Sequence, residues 1–358
     1  MPARKRSAPA ESRRRSGRIS NTPKKSQYFE GSDSESELPP KKRGRPSRKQ
    51  AVTKEDSEEE YAEEPEEAQK EEEDDDELDE DAPPKVTIIP LETLRPLGGI
   101  DYEDQKLHKN TMLFLKDLKA NNRRPWLHAH DGEYRRALKD WLSFVEAATT
   151  SIIDVDETIP ELPVKDVVFR IYRDIRFSKE KLPYKPHFSA AWSRTGRKGP
   201  YACYYIHCEP GASFVGGGLW HPDKGPIDKL RRSIDERPAS WRRVLNDEHL
   251  KRVFFPGVKQ GSKPDAVINA FIAKNQENAL KKRPQGYDID HRDIGLLRLR
   301  NYTIGTKIDD KIFLDDDVQA KIADIIRGLS GFVNFLNRIV MPDPGQEDDD
   351  EDDEDEAD

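Results

Sequence analysis

Val164-Lys165-Asp166-Val167-Val168-Phe169-Arg170-Ile171-Tyr172-Arg173-Asp174-Ile175-Arg176-Phe177-Ser178 is where the chain changes its hydrophobic period. Val167, Phe169, Ile171, Ile175 and Phe177 fall on one side at a spacing of two, while Arg170, Tyr172, Asp174, Arg176 and Ser178 fall on the other. That alternation reads as a half-buried β-strand, interrupted on its apolar side by Arg173. Upstream the period is helical. Leu107, Thr111, Phe114 and Leu118 share a face until Asn121-Asn122 breaks it, and Tyr134, Leu138, Trp141, Val145, Ala148 and Ile152 hold a second helix that ends ahead of Pro160 and Pro163. Downstream, strands are predicted over 187–193, 202–209 and 212–220, and helices over 226–236 and 239–245. A long C-terminal helix over 317–339 carries Ile322, Ile325, Ile326, Leu329, Val333 and Leu336 toward the sheet. Helices, then strands, then helices, without βα alternation, specify an α+β fold: N-terminal helices, a central, mainly antiparallel sheet and a packed C-terminal helix.

Outward from this core the composition changes. Charged residues make up 37% of the 358 and hydrophobic ones 34%, and the charges lie in blocks. Residues 1–50 hold 15 Lys+Arg against 5 Asp+Glu, residues 51–84 hold 2 against 19, and residues 342–358 hold 0 against 12. Subtraction from the totals of 61 and 70 leaves 44 against 34 for residues 85–341, so a basic core is flanked by acidic tracts. Four segments are expected: a disordered basic tail (1–50), a disordered acidic tract and linker (51–100), one folded domain (101–341) and a disordered acidic tail (342–358). The first fifty residues lack the apolar run of about 7–15 that a secretory signal needs, and no run approaches the ~18 apolar residues of a membrane span. Cys203 and Cys208, five apart in a predicted strand, point to opposite faces, which disfavours a mutual disulfide and suits a reducing compartment.

The basic tail contains Pro39-Pro40-Lys41-Lys42-Arg43-Gly44-Arg45-Pro46, which resembles an AT-hook. The narrow, strongly negative minor groove of A-tracts accepts extended arginines such as Arg43 and Arg45, and Gly44 has no Cβ to collide with the groove floor. Lys41, Lys42, Arg48 and Lys49 then reach phosphates. The same cluster also reads as a nuclear localisation signal, and both readings place the chain in the nucleus.

A second resemblance lies in the core. Arg173-Asp174-Ile175-Arg176-Phe177-Ser178-Lys179-Glu180-Lys181, followed by Pro183-Tyr184-Lys185, resembles the signature of a domain family of unknown function found in bacteria and fungi as conserved hypothetical proteins. Gly216-Gly217-Gly218-Leu219-Trp220, Arg283-Pro284-Gln285-Gly286-Tyr287-Asp288 and the segment from Phe114 to Arg123 agree with it in order. The resemblance implies a single domain over about residues 105–340 and supplies no chemistry to carry over.

The chemistry is therefore read from the residues alone. Arg170, Arg173, Asp174, Arg176, Ser178, Lys181, Tyr184 and Lys185 form a candidate anion-binding set, since guanidinium groups recognise phosphate or carboxylate bidentately. An ion-paired solvent face is the alternative. His187, His207, His221 and His291 are too scattered in sequence to define a metal site, and neither a metal nor another cofactor is expected. HExxH, CxxC and GxSxG are absent. Gly216-Gly217-Gly218 lacks the P-loop ending and marks a bulge or a close backbone contact. The expected function is a nuclear, chromatin- or DNA-associated protein whose tail binds AT-rich DNA and whose core binds an anionic partner. An enzyme acting on a phosphate-bearing substrate and a histone-binding scaffold with acidic tails, or one for other chromatin proteins, are the alternatives. No membrane partner is expected.

The isolated tail is expected to bind AT-rich duplexes with a log–log salt slope of roughly -4 if Lys41, Lys42, Arg48 and Lys49 each neutralise a phosphate. Fluorescence anisotropy with Arg43→Ala/Arg45→Ala checks the hook, because that variant must lose the preference for AT over GC duplexes.

Overall fold

The computed structural model describes residues 92–176, 181–259 and 261–342, so the basic tail with its AT-hook-like segment, the acidic tract and most of the linker after it, Ser178 and the tail from residue 343 lie outside the described residues. Helix α1 (Lys109–Ala120) is capped by His108, whose Nδ1 accepts from the Asn110 N–H at 3.0 Å, and it stops at Asn121. The short α2 (Arg124–Ala129) has Pro125 in its first turn, where the fixed φ of proline suits a helix start. Helix α3 (Asp131–Ile153) has Asp131 and Glu133 in its first turn, where the helix dipole favours them, and buries Trp141, Phe144, Val145, Ala148 and Ile152.

The stretch that sets the fold class departs from its expected form. Residues 164–167 make one helical turn, α4 (Val164–Val167), and only β1 (Val168–Phe169) joins the sheet. The expected strand is thereby corrected over residues 164–167 and 170–176, while its end at Phe177 and Ser178 lies outside the described residues. Beyond Phe169 the backbone pairs with its own return: the Lys185 N–H donates to the Ile171 carbonyl at 2.7 Å and the Arg173 N–H to the Pro183 carbonyl at 2.9 Å, with Tyr172 bridging Tyr184. The Asp174 carboxylate then accepts from the Arg176 N–H at 3.0 Å, a local turn that competes with strand extension. The side-chain alternation survives this change of partner, because Ile171 is buried while Arg170, Tyr172, Asp174 and Arg176 are exposed.

The sheet is an antiparallel meander, β1 followed by β2 (Phe188–Trp192), β3 (Cys203–Cys208), β4 (Phe214–Leu219) and β5 (Tyr302–Lys307) in that spatial order. Between β4 and β5 the chain makes α5 (Lys224–Glu236), α6 (Pro238–Leu245), α7 (Glu248–Phe254), α8 (Pro264–Lys274) and α9 (Ile294–Leu297), and it ends in α10 (Val318–Val340). The fold is α+β, as the sequence implies. One sheet face carries Phe188, Ala190, Trp192, Tyr204, Ile206, Cys208, Val215 and Ile304 into the core, where Trp141 stacks on Phe188 at 5.8 Å. Buried Asp156 ties three layers together by accepting from the Tyr204 hydroxyl (2.5 Å), the Asn334 amide of α10 (3.2 Å) and the Thr158 hydroxyl (2.7 Å). Cys203 and Cys208 are both free thiols. Among the described residues no helix is long and apolar enough to cross a membrane.

The triple glycine of β4 is a packing requirement. A Cβ on Gly217 would lie 2.3 Å from the Cys203 carbonyl oxygen and 2.7 Å from Leu329 Cδ2 of α10, and one on Gly216 would lie 2.4 Å from the Ile304 carbonyl oxygen. Gly217→Ala is therefore expected to destabilise the chain by about 1–3 kcal/mol or more. Gly225→Ala, in α5 with nothing within 4 Å of its new methyl, is expected to leave stability unchanged or slightly raised. Paired denaturant melts of the two variants check this.

Candidate functional site

The other sheet face carries polar groups. Strand register aligns Phe169, Ser189, His207 and Phe214 in one row and Ala191, Tyr205 and Gly216 in the next. His187, one residue before β2, and Glu209, one residue after β3, extend the Phe188–Cys208 pairing at the end of the sheet. The His187 and His207 rings lie 4.0 Å apart, and His207 stacks on Phe214 at 4.7 Å. Glu209 joins them. Its Oε2 is 3.1 Å from His207 Nε2 and 3.8 Å from His187 Nδ1, while its Oε1 accepts from Lys119 Nζ of α1 at 2.7 Å. On the far side of the ring, His207 Nδ1 is 3.3 Å from the Tyr205 hydroxyl. If Nε2 carries the proton, the chain runs from the Tyr205 O–H to His207 Nδ1 and from His207 Nε2–H to Glu209.

Helix α1 and the signature segment are fixed to each other beside this group. The Asn122 amide, just past the end of α1, donates to the Tyr184 carbonyl at 2.8 Å and its oxygen accepts from the Tyr184 N–H at 3.1 Å. Lys119 and Lys185 are thus brought to one end of the sheet. Lys185 Nζ sits over the Phe169 ring, 5.7 Å from its centroid.

Charge and burial set the protonation states. Burial, chiefly, and then the neighbouring His207 push His187 down to about 3, with Lys185 and Arg173 adding to the push and Glu209 opposing it. At neutral pH its approach to Glu209 is therefore that of a neutral ring, not an ion pair. Burial also lowers His207, against the pull of Glu209. Burial works to raise the Glu209 carboxyl, but hydrogen bonds from Lys119 and His207 outweigh it and hold the group below its ordinary value. The Lys185 ammonium is disfavoured by burial first and then by Arg173 and Arg170, three influences of one sign.

Of the sequence-predicted anion set, Arg170 and Arg173 are thus close enough to act on Lys185. Asp174 and Arg176 are instead engaged with each other on an exposed turn, with Arg176 Nε and Nη2 at 3.2 and 3.0 Å from the carboxylate, which lies below its usual pKa because of that guanidinium. Lys181 Nζ donates to the Ile175 carbonyl at 2.9 Å on the same turn. The Tyr184 ring is buried edge-on against Tyr172 at 5.5 Å, and Ser178 is outside the described residues. His187 and His207 meet, whereas His221 lies beside Trp220 and His291 beside Asp235. Lys119, Ser189, Tyr205 and Glu209 were not singled out from the sequence. The available signal was His207-x-Glu209, a spacing of two that puts both side chains on one strand face.

Residues 110–335 match the model of the family described as Conserved hypothetical protein (DUF2461), and the chain belongs to that family. No curated protein and no solved structure matches it. The matched region includes Lys119, the signature segment and the whole His187–His207–Glu209 group.

The pKa of His187 gives a test. A folded value near 3 lies below the unfolded value of about 6.5, so the unfolded chain binds more protons, and stability present above about pH 6.5 falls as the pH drops toward 3. In chelator-treated protein, His187→Leu is expected to remove up to one proton's share of that slope, about 1.4 kcal/mol per pH unit. Denaturant melts between about pH 6 and 5 read the slope, and an unchanged value contradicts a neutral His187.

Proposed function

We propose that this family member is a nuclear, chromatin- and DNA-associated protein. In this reading the segment Lys41, Lys42, Arg43, Gly44, Arg45, Pro46 tethers it to AT-rich DNA, and the core binds an anionic, phosphate-bearing group of a partner beside Lys185, Arg173 and Arg170. One observation carries the core reading: Lys185 is half-buried against Phe169, and burial, Arg173 and Arg170 all disfavour its charge. Holding a cation in such surroundings costs stability, and a bound oxyanion reverses the sign of the local field. Histones or other chromatin proteins are the further partners this reading admits, through the acidic tracts.

A second reading, an enzyme acting on a phosphate-bearing substrate, is favoured by the chain from Tyr205 through His207 to Glu209. A carboxylate that orients an imidazole, whose other nitrogen meets a hydroxyl, can relay a proton beside a cationic anion site.

Thermal unfolding of the full chain with and without inorganic phosphate tests the anion site. Ligand at a hundred times its dissociation constant adds about 2.7 kcal/mol. Lys185→Met is expected to melt at or above the wild-type temperature without phosphate and to lose the phosphate response. A wild type that no anion stabilises, or a variant that keeps the full response, overturns the proposal.

A further inference from the structure

We propose that His187, His207 and Glu209 form a site for a first-row divalent transition metal of the Zn2+ or Co2+ type. Among the described residues one group of three potential ligands has its donor atoms within 4.8 Å of one another, and it is this one. Two imidazoles with one carboxylate make a donor set that suits such ions rather than Mg2+ or Ca2+, which prefer oxygen alone. Metal–ligand bonds of about 2.0–2.2 Å place neighbouring donors roughly 3–3.5 Å apart in tetrahedral geometry. His207 Nε2 and Glu209 Oε2 already stand at 3.1 Å, and His187 Nδ1 is 3.8 Å from the same oxygen. The two imidazole donors lie within 4.8 Å of each other, so binding a metal draws the His187 ring toward His207.

The surroundings are those of oriented ligands. Lys119 holds Oε1 of the carboxylate, which leaves Oε2 turned to the imidazoles. The Tyr205 hydroxyl meets Nδ1 of His207, the nitrogen that does not face Glu209, and Phe214 stacks along that ring. Outer hydrogen bonds of this kind fix which imidazole nitrogen a metal receives. The three ligands come from the paired ends of adjacent strands, so the sheet register rather than a loop sets their spacing. Three protein ligands leave at least one position open, and with a single carboxylate present the ion's excess charge calls for an anion there, hydroxide or an oxyanion. The inference stands on the donors alone, so it and the anion reading can fail separately.

Titration of the chelator-treated full chain with Co2+, followed by its visible d–d absorption, tests the site, with Zn2+ displacing Co2+ as confirmation. The expected result is one equivalent bound with imidazole ligation, weakened at least tenfold by Glu209→Gln and by His187→Ala. His291→Ala removes an imidazole that lies beside Asp235, outside the group, and leaves all three ligands, so it is expected to bind as tightly as wild type. This variant keeps the test informative if a ligand variant fails to fold, which circular dichroism reveals. A wild type that shows no d–d bands, ligand variants that fold and bind as it does, or a His291→Ala chain that binds more weakly overturns the proposal.

Discussion

Helix α10 and strands β3 and β5 can meet around β4 because residues 216–218 carry no side chains. Gly217 faces the core, where Leu329 and the Cys203 carbonyl occupy the space that a methyl group would need. Gly218, at a φ of +119° and with the Tyr302 carbonyl oxygen 2.1 Å from where a Cβ would stand, uses backbone that side chains rarely permit. With α10 drawn this close, Asn337 accepts from the Ala202 N–H at 2.7 Å and Asn334 reaches Asp156. These bonds brace the loop after α3, the start of β3 and the last helix against one another. On the opposite face Gly216 pairs with Tyr205. The strand beside the candidate site is bare there, while one pair further along Phe214 supports His207.

What the sequence made legible follows from how each element is stabilised. Helices α1, α3 and α10 bury one stripe over three or more turns, so their period repeats often enough to be read. Strands β2 to β4 lie within two residues of the bounds that the sequence predicts. The segment from Ile171 to Arg176 shows the weakness of alternation as a strand signal: it records which side chains face water, and here it accompanies a local fold-back rather than a strand of the sheet. The short α2 is too brief to show a period, and Pro125 in its first turn is the one local sign of it. Strand β5 is recognisable only by its partner. Thr303 and Gly305 on its site-side face say little by themselves, whereas opposite Gly218 and Gly216 they complete the sheet.

The candidate site was legible in its cations and not in its centre. Arg170, Arg173 and Lys185 lie within one short segment, so their mutual repulsion shows in the sequence. Lys119 and Glu209 are 90 residues apart and meet only through the packing of α1 at the end of the sheet. Of four scattered histidines, the register that sets Phe188 against Cys208 selects His187 and His207 and leaves His221 and His291 elsewhere. No composition argument makes that selection, because it depends on which strand ends are neighbours.

Asn122 has a consequence of another kind. Its amide presents a donor and an acceptor to the backbone of Tyr184, as a neighbouring strand would, and so seals a short stretch of backbone that the return of residues 183–185 leaves open. An amide has no proton to gain or lose in the physiological range. The imidazoles, the carboxylate and the lysines beside it all have charges that acidity or a ligand can change. The fastening between helix and signature segment is thus chemically inert, and the groups it positions can alter their charge without loosening the frame that holds them in register.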